Sequence, residues 1–253
     1  MKVVGLVSGG KDSCYNLMKC VEKGHEIVCL ANLHPRATRK HEIDSYMYQT
    51  VGHDAVQFYA DAFELPLYRR AIHGDPISTT MEYDRAVDGD EVEDLYELLV
   101  DVKTKHPDVD AVSAGAIFSE YQYRRVANIC DRLSLKPLCF LWQREQDQLL
   151  DDMINDGVKA IIVKVAAMGL EPKKHLGMTL FEIQPEMRRL NAKFGLNICG
   201  EGGEFESFVL DCPLFKRKRI VLDESEIVIH SDDAFAPVGY LKLLRLHLED
   251  KSL

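Results

Sequence analysis

The run Val3-Val4-Gly5-Leu6-Val7, followed at once by Ser8-Gly9-Gly10-Lys11-Asp12-Ser13, constrains this chain more than any other feature. The first five residues are apolar and rich in β-branched side chains, the mark of a buried parallel strand, and the residues from Asp12 onward read as the first turn of a helix. A strand that passes through a glycine pair into a helix points backbone N–H groups at an anion. The glycines let the backbone approach oxygen atoms closely, Lys11 adds a charge, and the helix start adds the positive end of its dipole. Phosphate is the natural guest.

Gly5 to Lys11 opens like a Walker A loop, but that loop needs Ser or Thr directly after the lysine to hold magnesium, and Asp12 stands there instead. Ser8-Gly9-Gly10-Lys11-Asp12-Ser13 resembles the PP-loop of the ATP pyrophosphatases. That resemblance implies a grip on the β and γ phosphates as a leaving pyrophosphate, an α phosphate open to attack, and AMP as the nucleotide product.

Through the first half, strand patterns at 3–7, 27–33, 67–72, 111–117 and 138–142 alternate with helical patterns at 12–23, 45–63, 92–105 and 122–133. This alternation predicts an α/β fold, a Rossmann-like parallel sheet covered by helices on both faces, with ligands beyond the carboxyl ends of the strands. The segments after Val7, Leu33 and Ile117 should line one crevice. The rhythm changes near residue 143. A helix at 146–155, a strand at 160–165, a helix at 179–194 and strand-like runs at 219–222, 226–230 and 240–248 predict a second, smaller α+β domain. We divide the chain into a nucleotide-binding domain, 1–143, and a substrate-binding domain, 144–253. In the last run the leucines change face between Leu243 and Leu244, which suggests a bulge or a buried strand.

With 253 residues, 46% of them hydrophobic, the chain can bury a full core. No apolar stretch reaches membrane-spanning length and no leader pattern precedes the first strand, so a soluble, cytoplasmic protein without membrane association is expected. The formal charge of −10 opposes attraction to nucleic acid. One basic run, Lys216-Arg217-Lys218-Arg219, reads as a solvated edge strand or a docking patch. The acidic stretch from Asp88 to Glu97 suits a helix start. Seven cysteines without a Cys-x-x-Cys pair read as small core residues, and nine histidines show no metal-ligand spacing.

The segment Gly200-Glu201-Gly202-Gly203-Glu204-Phe205-Glu206-Ser207 gathers three carboxylates and three glycines into eight positions. Carboxylates so clustered can hold a cation or ammonium, or act as a general base; a solvated acidic turn is the competing reading. If the chain is extended from Glu204, then Glu204 and Glu206 share one side and Phe205 takes the other.

These residues, together with the PP-loop, Gly115-Ala116-Ile117, Glu120-Tyr121-Gln122, Arg125-Val126, the stretch from Pro137-Leu138 to Leu141-Trp142, and the continuation Phe208-Val209-Leu210-Asp211-Cys212-Pro213-Leu214-Phe215, resemble the diphthine-ammonia ligase family over essentially the whole chain. Phe205 and Ser207 stand where related sequences often have Tyr and Thr. Some longer relatives carry extra carboxy-terminal domains, which are not expected in this chain. The resemblance implies amidation of diphthine, a modified histidine of translation elongation factor 2, to diphthamide. Its carboxylate would attack the α phosphate of ATP, and ammonia would then displace AMP from the acyl-adenylate.

By the same resemblance Ser8, Gly9, Gly10, Lys11, Asp12 and Ser13 hold the leaving group, with Mg2+ on the phosphates and Asp12 as its protein ligand. Ala31, Asn32 and Leu33 flank adenine, while Gly115 and Glu120 face ribose or acceptor across the crevice. Glu201, Glu204 and Glu206 are the candidates for handling ammonia, and free ammonium is the expected nitrogen source because no glutaminase region is visible. Lys11 and Asp12 are expected at a loop tip, outside any core. Arg124 and Arg125 could contact substrate or make structural ion pairs. A PP-loop RNA-modifying enzyme and a non-catalytic nucleotide-binding module are the competing functions; the first commonly needs paired cysteines or a basic platform, which this chain lacks.

Overall fold

A computed structural model describes residues 1–36 and 51–251 of the protein. The first half forms a five-stranded parallel sheet from β1 (Lys2–Leu6), β2 (Glu26–His34), β3 (Leu67–Ala71), β4 (Ala111–Ser113) and β5 (Lys136–Leu138), in the order β3-β2-β1-β4-β5. The chain winds outward through β2 and β3, then crosses to β4 on the other side of β1. The strand order therefore reverses between β1 and β4, which opens a crevice beyond their carboxyl ends.

Helices α3 (Glu91–Lys105) and α4 (Glu120–Arg132) cover one face, packing Val92, Leu95, Leu99, Val126 and Ile129 against Val4, Cys29 and Val112. Asp90 caps α3 by accepting the Val92 N–H at 3.0 Å, and Glu91, Glu93 and Asp94 follow in its first turn. The acidic stretch thus meets the positive end of the helix dipole, as its sequence suggests. Helices α1 (Lys11–Glu22) and α2 (Phe58–Phe63) cover the other face.

The second half contributes α5 (Gln146–Asn155), β6 (Lys159–Val165), the short α6 (Pro172–His175), α7 (Leu180–Phe194), β7 (Phe205–Asp211), β8 (Lys218–Ser231) and β9 (Val238–Asp250). Its four strands form an antiparallel sheet in the order β7-β6-β9-β8. Thr179 and Glu182 close a reciprocal capping box at the start of α7. One core cluster spans both sheets: Tyr15, Tyr59 and Phe63 from the first half pack in it with Phe208, Val209 and Phe215 from the second. All seven cysteines are free thiols, six of them buried. No helix among the described residues is long and apolar enough to cross a membrane.

Several elements differ from the sequence pattern. Part of the helix expected at 45–63 lies outside the described residues; beyond it, Gly52 takes a left-handed φ of 77°, a 3-10 turn spans His53–Gln57, and only Phe58–Phe63 is α-helical. The strand expected at 111–117 leaves the sheet after Ser113, and that expected at 138–142 ends at Leu138. The two short strands expected at 219–222 and 226–230 are one strand, β8, whose register against β9 shifts around Glu224. Arg245 pairs with Glu224 and Leu243 with Ser225, so Leu244 is the extra residue of the bulge that the leucine pattern suggests. The basic run enters this edge strand, with Arg217 paired to Glu64 and Arg219 to Glu249.

Arg124 and Arg125 take different structural roles. Arg124 lies exposed in an ion pair with Glu120, whereas Arg125 is fully buried. The Arg125 guanidinium donates to the carbonyls of Ser78 (2.5 Å), Thr80 (3.0 Å) and Tyr121 (3.2 Å) and stacks 3.2 Å from the Tyr121 ring centroid. It thereby ties the segment before α3 to α4. Arg125→Ala should lower unfolding free energy by about 3 kcal/mol, because it strands several carbonyls and opens a cavity. Arg124→Ala, which removes only an exposed ion pair, should leave it nearly unchanged. Denaturant titration of the two variants measures the contrast.

Candidate functional site

A cavity of about 530 Å³ opens at the reversal of strand order. Its walls include Ser8, Lys11, Asp12 and Ser13 from the β1–α1 loop and helix start, Ala31, Asn32 and Leu33 from β2, Ala114, Gly115 and Ala116 beyond β4, and Gly200 to Gly203 with Phe205, Glu206 and Ser207 from the second half. The two sequence motifs, nearly two hundred residues apart, therefore face the same space. Leu6, Val7, Leu95, Leu98, Gln122 and Val126 complete the lining.

The loop between β1 and α1 is shaped by its own hydroxyls. Ser13 Oγ donates to the Gly10 carbonyl at 2.9 Å, and Ser8 Oγ accepts the Gly10 N–H at 3.2 Å. Gly9 has φ +97°, a conformation that disfavours any side chain, and a Cβ there would lie 3.0 Å from the Phe208 ring. Gly9 and Gly10 are not among the residues that line the cavity. Across the crevice, a Cβ on Gly115 would sit 2.6 Å from the carbonyl carbon of Asp12, so only glycine permits that approach. Asn32 bridges the strands: its Nδ2 donates to the Val7 carbonyl at 2.8 Å, and its Oδ1 accepts from Arg69 at 2.9 Å.

Gly10 is the N-cap of α1 and offers no side chain. The second half supplies the missing acceptor, since Ser207 Oγ takes the Lys11 N–H at 3.1 Å. Lys11 itself is 2% exposed, which corrects the expectation of a loop tip outside the core. Its ammonium donates to the Cys199 carbonyl at 2.6 Å and to Asp12 at 2.9 Å, and lies 5.0 Å from the Phe205 ring centroid. Burial works against the Lys11 charge, but Asp12 and the other acidic neighbours outweigh it and leave the pKa above its ordinary value.

The three glutamates separate. Glu201 lines the cavity, and its carboxylate accepts from the backbone N–H groups of Ile117 (3.2 Å) and Phe118 (3.5 Å). Burial, reinforced by repulsion from Asp12, pushes its pKa up to about 7. Glu204, 9% exposed, accepts from Asn197 N and Gly202 N, both at 2.8 Å, and so staples its own loop rather than facing the cavity. The extended run begins at Phe205. Glu206 lines the cavity 3.5 Å from the Lys164 ammonium. Glu120 lies outside the lining, at the exposed start of α4.

Asp12 presents one oxygen to Lys11, while its Oδ1 is buried without a hydrogen-bond partner, as suits a carboxylate that shares a cation with phosphate oxygens. No group of three or more His, Cys, Asp or Glu among the described residues could by itself hold a metal ion.

Residues 1–137 match the family described as diphthamide synthase N-terminal domain, and residues 145–244 match its C-terminal domain. Diphthine-ammonia ligase of Mus musculus is 59% identical over 253 residues, covering 99% of this chain and 94% of that protein. The Danio rerio enzyme of the same name is 57% identical, covering 100% of this chain and 98% of its own. The Schizosaccharomyces pombe counterpart is also 57% identical, over 96% of this chain but 39% of its own length.

The position of Glu201 carries a stability signature. A carboxyl whose pKa rises from 4.5 to about 7 on folding binds its proton more tightly in the folded chain. Its cost to folding is absent well below pH 4.5, grows through the interval and is complete above about 7. Glu201→Gln removes the ionisation, so the variant should be more stable than the parent by up to about 3 kcal/mol near pH 8, with little difference near pH 4.5. Denaturant melts at the two pH values measure it.

Proposed function

The chain belongs to the diphthamide synthase family, and from that premise we propose that it amidates the diphthine side chain of translation elongation factor 2, with ammonium as nitrogen source and AMP and pyrophosphate as products. The enzyme is a ligase of the diphthine-ammonia type. One observation carries the reading: the phosphate loop and the Gly-Glu segment wall a single cavity and are hydrogen-bonded to each other.

In this mechanism the adenine end of ATP lies against Ala31, Asn32 and Leu33, and its terminal phosphates lie against the loop from Ser8 to Ser13 and the N-terminus of α1. Lys11 stays cationic in its buried position and offsets the charge that develops on departing pyrophosphate. Asp12, through its unpartnered Oδ1, is the residue that would hold Mg2+, whose chemistry there is to neutralise phosphate oxygens. The diphthine carboxylate then attacks the α phosphate, the bond to pyrophosphate breaks, and an acyl-adenylate remains.

Ammonia attacks only when neutral. Among the three glutamates we assign the proton transfer to Glu201, because it faces the cavity and its pKa near 7 lets it take up and release a proton at neutral pH. Glu204 holds the loop that presents it. To Glu206, beside Lys164 on the cavity wall, we assign contact with the cationic end of diphthine. The seven free thiols fit the reducing cytoplasm, where an elongation factor works.

Purified protein incubated with ATP, ammonium and diphthine-bearing elongation factor should yield the amide together with AMP and pyrophosphate; ADP and orthophosphate as main products would remove this mechanism. Lys11→Ala should lower turnover at least about a hundredfold. Glu201→Gln should bind ATP no more weakly than the parent yet form amide about 10²- to 10⁴-fold more slowly, with partial rescue by added ammonium or higher pH. Unchanged amidation by folded Glu201→Gln would take the base role away from that residue.

A further inference from the structure

We propose that Tyr59 is a positioning residue of the phosphate loop, which fixes the orientation of the Gly9–Gly10 peptide so that its N–H holds the Ser8 hydroxyl at the cavity wall, where that hydroxyl is offered to the pyrophosphate end of ATP. This rests on the proposed use of that loop, and concerns a residue outside both sequence motifs.

Tyr59 comes from α2 and has no exposed surface. Its hydroxyl lies 2.7 Å from the Gly9 carbonyl and 3.1 Å from the Val209 carbonyl, and the Val209 N–H donates to the same Gly9 carbonyl at 2.9 Å. The phenol has one proton to donate, and the shorter contact is to Gly9. Burial pushes the phenol pKa well above its ordinary value, so the hydroxyl keeps that proton.

A peptide between two glycines is free to rotate as a unit, because neither residue carries a Cβ to oppose the change. In the planar trans peptide, C=O and N–H point in opposite directions. Pinning the Gly9 oxygen toward α2 and β7 therefore turns the Gly10 N–H the other way, toward Ser8, whose side chain lines the cavity. The flipped peptide would instead turn a carbonyl oxygen toward Ser8 Oγ, and the Ser8 hydroxyl would then donate to that carbonyl rather than to phosphate. Val209 supplies one of the two restraints through a backbone that cannot be varied, and Tyr59 supplies the other through a side chain that can.

The ring of Tyr59 also packs with Phe63 (5.7 Å between centroids), Phe208 (5.6 Å) and Phe215 (5.3 Å). A purely structural role would reside in that cluster, and two variants separate the possibilities. Tyr59→Phe keeps the ring and removes the hydroxyl; Phe63→Leu disturbs the same cluster without touching a loop carbonyl. Affinities for inorganic pyrophosphate and for AMP are measured calorimetrically on each full-length protein. Tyr59→Phe should weaken pyrophosphate about five- to tenfold, the equilibrium value of roughly one hydrogen bond, and leave AMP unchanged, while Phe63→Leu should alter neither.

Equal weakening of both ligands by Tyr59→Phe, weakening of pyrophosphate by Phe63→Leu to the same degree, or no change in Tyr59→Phe would each overturn the assignment. Failure of the parent protein to bind pyrophosphate or AMP would instead overturn the reading on which it rests. A measurement on the unaltered protein covers a Tyr59→Phe variant that does not fold: the Gly10 amide, bonded to Ser8 Oγ, should exchange slowly, and more slowly still with inorganic pyrophosphate bound, and an unprotected Gly10 amide contradicts the proposed orientation.

Discussion

The hydrogen bonds from strand β7 and its preceding loop to the Ser8–Ser13 turn are the contacts on which the site depends. A glycine-rich anion loop has little intrinsic shape, and ordering its backbone costs about 1–2 kcal/mol per residue. Here Val209 N donates to Gly9 O, Ser207 Oγ caps the first N–H of α1, and the Cys199 carbonyl receives the Lys11 ammonium. Each net bond contributes about 1 kcal/mol, so together they approach the ordering cost of two or three residues. The loop is consequently shaped by a segment that begins almost two hundred residues later, and the same segment carries Glu201 and Glu206 to the cavity. In the proposed function, binding the nucleotide and presenting the acceptor are properties of one hydrogen-bonded unit.

Electrostatics follow from that geometry. Lys11 is buried between Asp12 and the Cys199 carbonyl, and Glu201 lies close enough to Asp12 to feel its charge. The cation holds one carboxylate firmly and leaves the second only partly compensated. That imbalance, added to burial, raises Glu201 to about 7 and gives the cavity a group that exchanges a proton at neutral pH. The unpartnered Oδ1 of Asp12 marks where further positive charge is favoured.

Much of this was legible in the sequence where a local rule governs. The strand-helix alternation, the acidic start of α3, the helix expected at 179–194 and the face change at Leu244 all depend on periodicity or on terminal chemistry, and the structure shows them. The elements that differ do so where tertiary contact overrides local pattern. Residues 114–117 continue a strand by composition, yet they leave the sheet, and Gly115 passes close against Asp12. The two short strands expected in β8 are continuous, with bulges taking up the interruption near Glu224. In the site, the two motifs were visible but their division of labour was not. Glu204 and Glu201 are chemically alike, and only the positions of Asn197 N and Gly202 N show that one of them staples a loop. The Cys199 carbonyl is invisible to sequence because every residue has one. Arg125 and Tyr59 act by reaching backbone carbonyls far along the chain, which no spacing rule records.

The central claim is that a carboxylate is activated on the α phosphate within a cavity shared by both halves. The most direct measurement uses elongation factor whose diphthine carboxylate carries oxygen-18 in both positions, allowed to react once with ATP and ammonium. Attack on the α phosphate moves one carboxylate oxygen to the nucleotide, so the account predicts one labelled oxygen in AMP, one in the amide and none in pyrophosphate. Label in pyrophosphate or orthophosphate, with unlabelled nucleotide, would contradict it.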